Sequence, residues 1–249
     1  MCAQETEEAE VPLRGGRVTQ GVVRVGDTVR RPATDASPFV ADLLHLYERR
    51  GFAGAPRHLG VDGTGRDVFS YLPGDVPPRF RHWDDAQVAG AGSLLRSLHG
   101  ASRGSSLAGD RPVVCHHDPG PNNTVFRGGR PVAFIDFDTA RPGDPLEDLA
   151  YMAWTWCISS RPQASPARTQ AAQVRVLADA YGLDGSARDR LLDAVLDRQT
   201  GNAFWWQGRL GDPAARTPGG AEVRARIDWS RREHAYTAAN RAVFASALR

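Results

Sequence analysis

The chain has 249 residues, 41% apolar and 24% charged, a balance that admits a packed core and argues against wholesale disorder. The net formal charge is +2, too small a surplus to recruit nucleic acid or a membrane surface. All 31 basic residues are arginine, so Schiff-base chemistry on lysine is excluded, and any side-chain cation that meets a phosphate must be a guanidinium.

Residues 1–10 read as a flexible acidic leader without the apolar stretch of a signal peptide. Three short strands are predicted next, Val11–Arg14, Gly21–Val25 and Thr28–Arg31. Gly15-Gly16 separates the first two and Gly26-Asp27 forms a two-residue hairpin turn. Ser37-Pro38 signals an N-cap and first-turn proline, opening a helix that Gly51 ends. Two further strands, His58–Asp62 and Asp67–Leu72, flank Gly63-Thr64-Gly65. Pro73-Gly74 then breaks the pattern, and a lobe boundary is placed there. The expected organisation is a nucleotide-binding lobe over 11–73 and a catalytic, substrate-binding helical lobe over 74–249.

Asp84 or Asp85 caps a helix reaching about His99. Pro112–Cys115 is a short strand, and Thr124–Phe126 and Pro131–Phe137 form a hairpin about Gly128-Gly129. Helices are then predicted at roughly 145–158, 166–181, 186–208 and 221–247. The fold class is α+β, with two lobes, the first β-rich and the second mostly helical. Cys2, Cys115 and Cys157 lack metal-ligand spacing and fit reduced thiols in a cytoplasmic protein. No stretch approaches the ~20 apolar residues of a membrane span.

The chemistry concentrates in His116-His117-Asp118-Pro119-Gly120-Pro121-Asn122-Asn123, followed by Ile135-Asp136-Phe137-Asp138. Phosphoryl transfer needs a carboxylate to orient a hydroxyl and take its proton, and oxygen ligands for Mg²⁺ on the far side of the same short loop. Asp118 suits the first task, Asn123 and Asp136 the second. The Pro-Gly-Pro between them makes a stiff, tight loop.

This segment resembles the catalytic loop of the aminoglycoside phosphotransferase and choline kinase families, in which His-Gly-Asp…Asn precedes Ile-Asp-Phe/Trp, Gly-Asp-Pro and Asp-Leu-Ala. Here the last three pieces are Ile135-Asp136-Phe137, Gly143-Asp144-Pro145 and Asp148-Leu149-Ala150. The resemblance implies a protein-kinase-like fold and an ATP-dependent phosphotransferase, with GTP as an alternative donor. It makes Asp118 the base, His116 the brace of its loop, and Asn123 and Asp136 the magnesium ligands. His117 stands where the family has glycine.

In the first lobe, Gly15 and Gly16 resemble a shortened phosphate-covering loop. Arg30 matches the strand position of a phosphate-contacting cation, with Arg31 as its alternative because neighbouring strand residues face opposite ways. The acidic partner such a cation usually finds on the next helix is reduced to Asp42 or Glu48. Ser70 and Tyr71 resemble an adenine-binding hinge. Asp138, Trp154 and Trp205 are candidate acceptor-side residues, the two tryptophans being read first as helix-packing core.

Residues 116–148 carry six acids and three arginines, net −3, whereas 185–249 carries eleven arginines and seven acids, net +4. The acidic stretch suits magnesium and would also suit a cationic acceptor, whereas the basic stretch, which builds the acceptor side in similar enzymes, argues against a polycationic acceptor and toward a less basic hydroxyl compound. The partners expected are a nucleotide and a small-molecule acceptor. The competing expectation is a catalytically silent kinase-like protein that binds a ligand or partner.

Overall fold

The computed structural model describes residues 9–13, 21–78, 81–210 and 219–249. A five-stranded antiparallel sheet comes first: β1 (Val11–Pro12), β2 (Val23–Val25), β3 (Thr28–Pro32), β4 (His58–Val61) and β5 (Arg66–Ser70), in spatial order β1-β2-β3-β5-β4. Helix α1 (Ser37–Arg49) crosses between β3 and β4. Its apolar stripe Val40, Leu43, Leu44 and Tyr47 is buried in a core that continues into the helical lobe. The sheet lobe and the mostly helical remainder are those of an α+β, protein-kinase-like fold.

The start of α1 differs from expectation. Ser37 does not cap; Ala36 takes that position without a side-chain bond. Ser37 Oγ instead accepts from Thr34 N at 2.9 Å and donates to the Asp67 carboxylate, tying the helix to β5.

The chain leaves the sheet through a clamped linker. Asp75 and Phe126 exchange backbone bonds of 2.9 and 2.8 Å, and Arg127 Nε donates to Pro73 O at 3.1 Å. Gly74 sits at φ +148, and a Cβ there would lie 2.4 Å from Phe126 O, so only glycine lets the backbones approach this closely.

The second lobe opens with α2 (Asp85–Ser102), capped by Asp84 in a reciprocal box with Gln87. Strand β6 (Val113–Cys115) leads to the loop at 116–123, then the hairpin β7 (Thr124–Arg127) and β8 (Arg130–Phe134). Gly128 and Gly129 both have positive φ, as a tight primed turn requires. A strand absent from the sequence reading, β9 (Arg141–Gly143), pairs antiparallel with β6. It holds the strand that leads into the loop.

Helix α3 (Pro145–Met152) is capped by Asp144 boxed with Glu147 and ends in a π-helical turn, Ala153–Cys157. Then come α4 (Ala167–Tyr181), α5 (Gly185–Gly208), α6 (Gly220–Ala239) and α7 (Arg241–Leu248). The single helix expected to 247 is broken at Asn240. Its side-chain amide donates to Tyr236 O at 2.9 Å, competing with the helical pattern there.

Candidate active site

The loop after β6 is held from several directions. Asp148, on α3 and fully buried, accepts the amides of His116 and His117 on its two oxygens, both at 2.7 Å. His99 Nε2 is 3.0 Å from Asp148 Oδ2, and its other ring nitrogen is 2.9 Å from the Tyr181 hydroxyl. Burial alone would raise the Asp148 pKa. The His99 hydrogen bond and the nearby His99, His117 and His116 charges outweigh it and hold the carboxyl down at about 2. From α5, Arg198 Nη2 donates to His117 O at 2.5 Å, and its guanidinium lies 4.6 Å over the Tyr151 ring. Burial depresses the pKa of this guanidinium. Trp156 Nε1 donates to Pro119 O at 3.1 Å, and Thr139 Oγ1 to His116 O at 2.8 Å.

Within that frame His116 Nδ1 accepts from Asp118 N at 3.3 Å and Nε2 donates to Ile135 O at 3.0 Å. These partners set the tautomer. The Asn123 side-chain amide donates to Asp118 Oδ2 at 2.8 Å and to Asp118 O at 3.0 Å. Asn123 O accepts from Ile135 N at 2.9 Å, which brings Asp136 beside the same loop. Asp118, Asn123 and Asp136 are therefore gathered at one place. Desolvation pushes the Asp136 carboxyl up even though half of its side chain meets solvent; the Asp138 charge adds to this, Arg31 opposes it, and the Asp118 charge acts in the raising direction too.

His117 (φ +63) and Asp136 (φ +67) are the only non-glycine residues with positive φ among those described, and both sit at this site. Such strain is held where surrounding contacts over-determine the backbone. His117 thus adopts the left-handed conformation natural to glycine. Its ring is buried without a hydrogen-bond partner, and burial lowers its pKa to about 4.

Of the two neighbouring arginines on β3, the structure brings Arg31, the alternative, and not Arg30 towards the loop. Cross-strand pairing sets Arg31 opposite Asp67 and Val29 opposite Phe69, on the face that α1 covers. Arg31 passes over the Phe69 ring at 5.2 Å and reaches the second lobe, 3.5 Å from Asp136 and paired with Asp138. Arg30 points the other way, 3.7 Å from Asp62. The acidic partner on α1 is not used: Asp42 is exposed and Glu48 pairs with Arg57.

The Ser70 and Tyr71 amides donate to Arg57 O at 2.9 Å and Asp27 O at 2.8 Å, so those two N–H groups are already engaged within the sheet lobe. Trp205 is exposed beneath Arg209 near the end of α5, away from the loop, and Phe204 beside it is exposed too. Trp154 is buried and stacked on Trp229 at 4.3 Å. Asp138 is committed to Arg31. Gly15 and Gly16 lie outside the described residues. The sequence reading gave His99 a packing role without chemistry and overlooked Arg198, since nothing in the local pattern of either marks a residue that reaches a distant loop.

Asn123 and Asp136 offer an amide oxygen and a carboxylate, the hard donors magnesium takes alongside phosphate oxygens, so the residues present fit that ion.

A model of the phosphotransferase enzyme family matches residues 103–192. The chain is 32% identical over 207 residues to a trifolitoxin immunity protein from Rhizobium leguminosarum bv. trifolii, covering 73% of this chain and 77% of that protein. It is 26% identical over 215 residues to a hygromycin-B 4-O-kinase from Escherichia coli, covering 80% of this chain but 58% of the kinase. Among solved structures, a choline/ethanolamine kinase family protein from Mesorhizobium loti superposes with a TM-score of 0.65 at 20% identity, over 97% of this chain and 92% of that one. An aminoglycoside phosphotransferase solved with streptomycin and ATP gives 0.62 at 13% identity, over 94% of each. With loop, fold and relatives in agreement, the chain belongs to the phosphotransferase enzyme family, whose enzymes move a phosphoryl group from ATP to an alcohol.

Proposed function

We propose that this protein is a small-molecule kinase that transfers the γ-phosphoryl of ATP, with GTP as the alternative donor, to a hydroxyl of an antibiotic-like or metabolite acceptor. The observation that carries the reading is the Asn123 amide clamped to the Asp118 carboxylate at 2.8 Å, one backbone hydrogen bond away from the Ile135-Asp136 pair. The relatives whose names specify antibiotic kinases support the acceptor class.

Asp118 receives the acceptor hydroxyl at its carboxylate, orients the oxygen toward the γ-phosphorus and takes the proton as the new P–O bond forms. The bond from that phosphorus to the bridging oxygen breaks, and the nucleoside diphosphate leaves with its electrons. Asn123 fixes the Asp118 rotamer. Asn123 Oδ1 and the Asp136 carboxylate would hold magnesium, which neutralises phosphate charge when bound. Arg31 supplies the guanidinium that meets phosphate oxygens in a chain without lysine.

The test is nucleotide turnover over a panel of hydroxylated antibiotics and metabolites, with Asp118→Asn as control. The variant should lose about 10²–10⁴-fold in kcat while keeping nucleotide affinity. Unchanged turnover in the variant would remove Asp118 from the chemistry. Absence of a thermal shift with any nucleotide plus Mg²⁺ would instead favour a silent ligand-binding protein.

A further inference from the structure

Every backbone carbonyl from His116 to Gly120 accepts a side-chain donor. Those of His116, Asp118 and Gly120 are met by Thr139, Asn123 and Thr124, all close by in the chain. The residues on either side of Asp118 are held from farther off. His117 O takes Arg198 from α5, and Pro119 O takes the Trp156 indole N–H, from the π-helical turn after α3, at 3.1 Å.

Proline has no N–H, so its carbonyl is the one polar backbone group by which Pro119 can be held. Pro119 is buried, and Gly120 N donates back to Asp118 O at 2.8 Å across it. Pro119 is therefore the centre of a three-residue turn that begins at the catalytic aspartate. Trp156 is placed to fix that turn. It is 4% exposed, and its ring packs on Trp83 at 5.0 Å and on Phe126 at 5.9 Å. Phe126 in turn shares its backbone bonds with Asp75 of the linker. A ring confined on these sides keeps its N–H in one direction. Trp154, two positions earlier on the same turn, faces elsewhere and stacks on Trp229.

We propose that Trp156 is a positioning residue for phosphoryl transfer: its indole N–H fixes the Pro119 carbonyl, and through that turn it fixes the aim of the Asp118 carboxylate. The inference rests on the kinase reading above. Asp118 must meet the acceptor hydroxyl within hydrogen-bond reach, and a misplacement of ~1 Å costs on the order of 10²-fold in rate. Without the indole donor the buried Pro119 carbonyl loses its partner, and the turn shifts to regain one.

The experiment measures MgATP hydrolysis with water as acceptor, normalised to the fraction of protein that binds MgADP, together with hydrogen exchange of the Gly120 and Asn123 amides. Trp156→Phe removes the N–H and part of the ring. Replacing Trp156 by β-(3-benzothienyl)alanine puts sulfur where the indole has its N–H, so the donor is lost and the ring is kept. Trp83→Phe trims the ring packed on Trp156 and leaves the bond to Pro119 in place. Both changes at Trp156 should lower kcat about 10–100-fold, keep the KM for MgATP within about twofold, and speed Gly120 exchange about tenfold. Trp83→Phe should melt lower yet hold kcat within about twofold. An unchanged kcat in the sulfur variant, a loss that Trp83→Phe shares, or a loss that appears in the KM for MgATP instead would overturn the proposal. A parent chain that neither binds nor turns over MgATP would sink the kinase reading. In that case unchanged exchange in the sulfur variant would remove the hold on the turn as well.

Discussion

Asp148 accepts the backbone amide of His117 at 2.7 Å while its other oxygen takes the amide of His116 at the same distance, so one buried carboxylate fixes the two residues that precede the catalytic aspartate. This side chain is fully buried on α3 and holds the loop by two consecutive amides. Its acidity is set by burial, which the His99 hydrogen bond and the neighbouring histidine charges outweigh, and a pH dependence of stability follows.

The Asp148 pKa is held at about 2 in the folded chain, below the ordinary carboxylate value near 3.9. The stabilisation is present above pH 4 and is lost as pH falls from about 4 to about 2, amounting to roughly 2 kcal/mol. Asp148→Asn cannot accept both amides and should cost about 3 kcal/mol. Denaturant midpoints measured from pH 7 to pH 2 should show the acid-dependent loss in the parent and a smaller one in the variant.

His117 acts in a neighbouring window. Its folded pKa of about 4 lies below the usual histidine value, so the unfolded chain gains a proton first as pH falls. Stability is full above about pH 6.5 and declines down to about pH 4, by roughly 3 kcal/mol. His117→Gly should flatten the curve in that range. Because the backbone is left-handed here, His117→Gly should also be more stable than His117→Ala by about 1 kcal/mol, a comparison of two melting curves.

Gly74→Ala places a methyl 2.4 Å from Phe126 O at a backbone angle disfavoured for any side chain. The paired bonds between Asp75 and Phe126 must open to admit it. We expect a loss of about 2–3 kcal/mol and weaker nucleotide affinity, since the linker joins the sheet to the catalytic hairpin. Normal melting and normal affinity would show that this close approach is dispensable.

Arg31 and Arg30 differ by one position and should differ in consequence. Arg31→Met removes the guanidinium that reaches Asp136 and Asp138 and should reduce kcat/KM for nucleotide about 10–100-fold, as for a lost charge-assisted hydrogen bond. Arg30→Met loses a partly exposed pair with Asp62 and should stay within about twofold. The reverse order would return the phosphate-facing role to Arg30.

The linear order of residues was enough to find the loop at 116–123, a helix cap at Asp84 or Asp85, and the glycine turn at 128–129. In each case the physics is local: a few consecutive residues carry the donors, the acceptors and the permitted backbone angles. It also identified the lack of lysine, which makes arginine the only cation for phosphate. What it left open was decided over distance. Whether Arg30 or Arg31 enters the site depends on which face of β3 lies under α1, a matter of pairing with β5 thirty-five or more residues away. Asp148 and Arg198 reach the catalytic loop from helices far along the chain, and the strained His117 is tolerated because they hold it. Trp154 and Trp205 read alike as aromatic helix residues, yet one is sealed in the core and the other meets solvent. Short-range chemistry is written in sequence neighbours, whereas burial, facing and the pairing of remote charges exist only once the chain has packed.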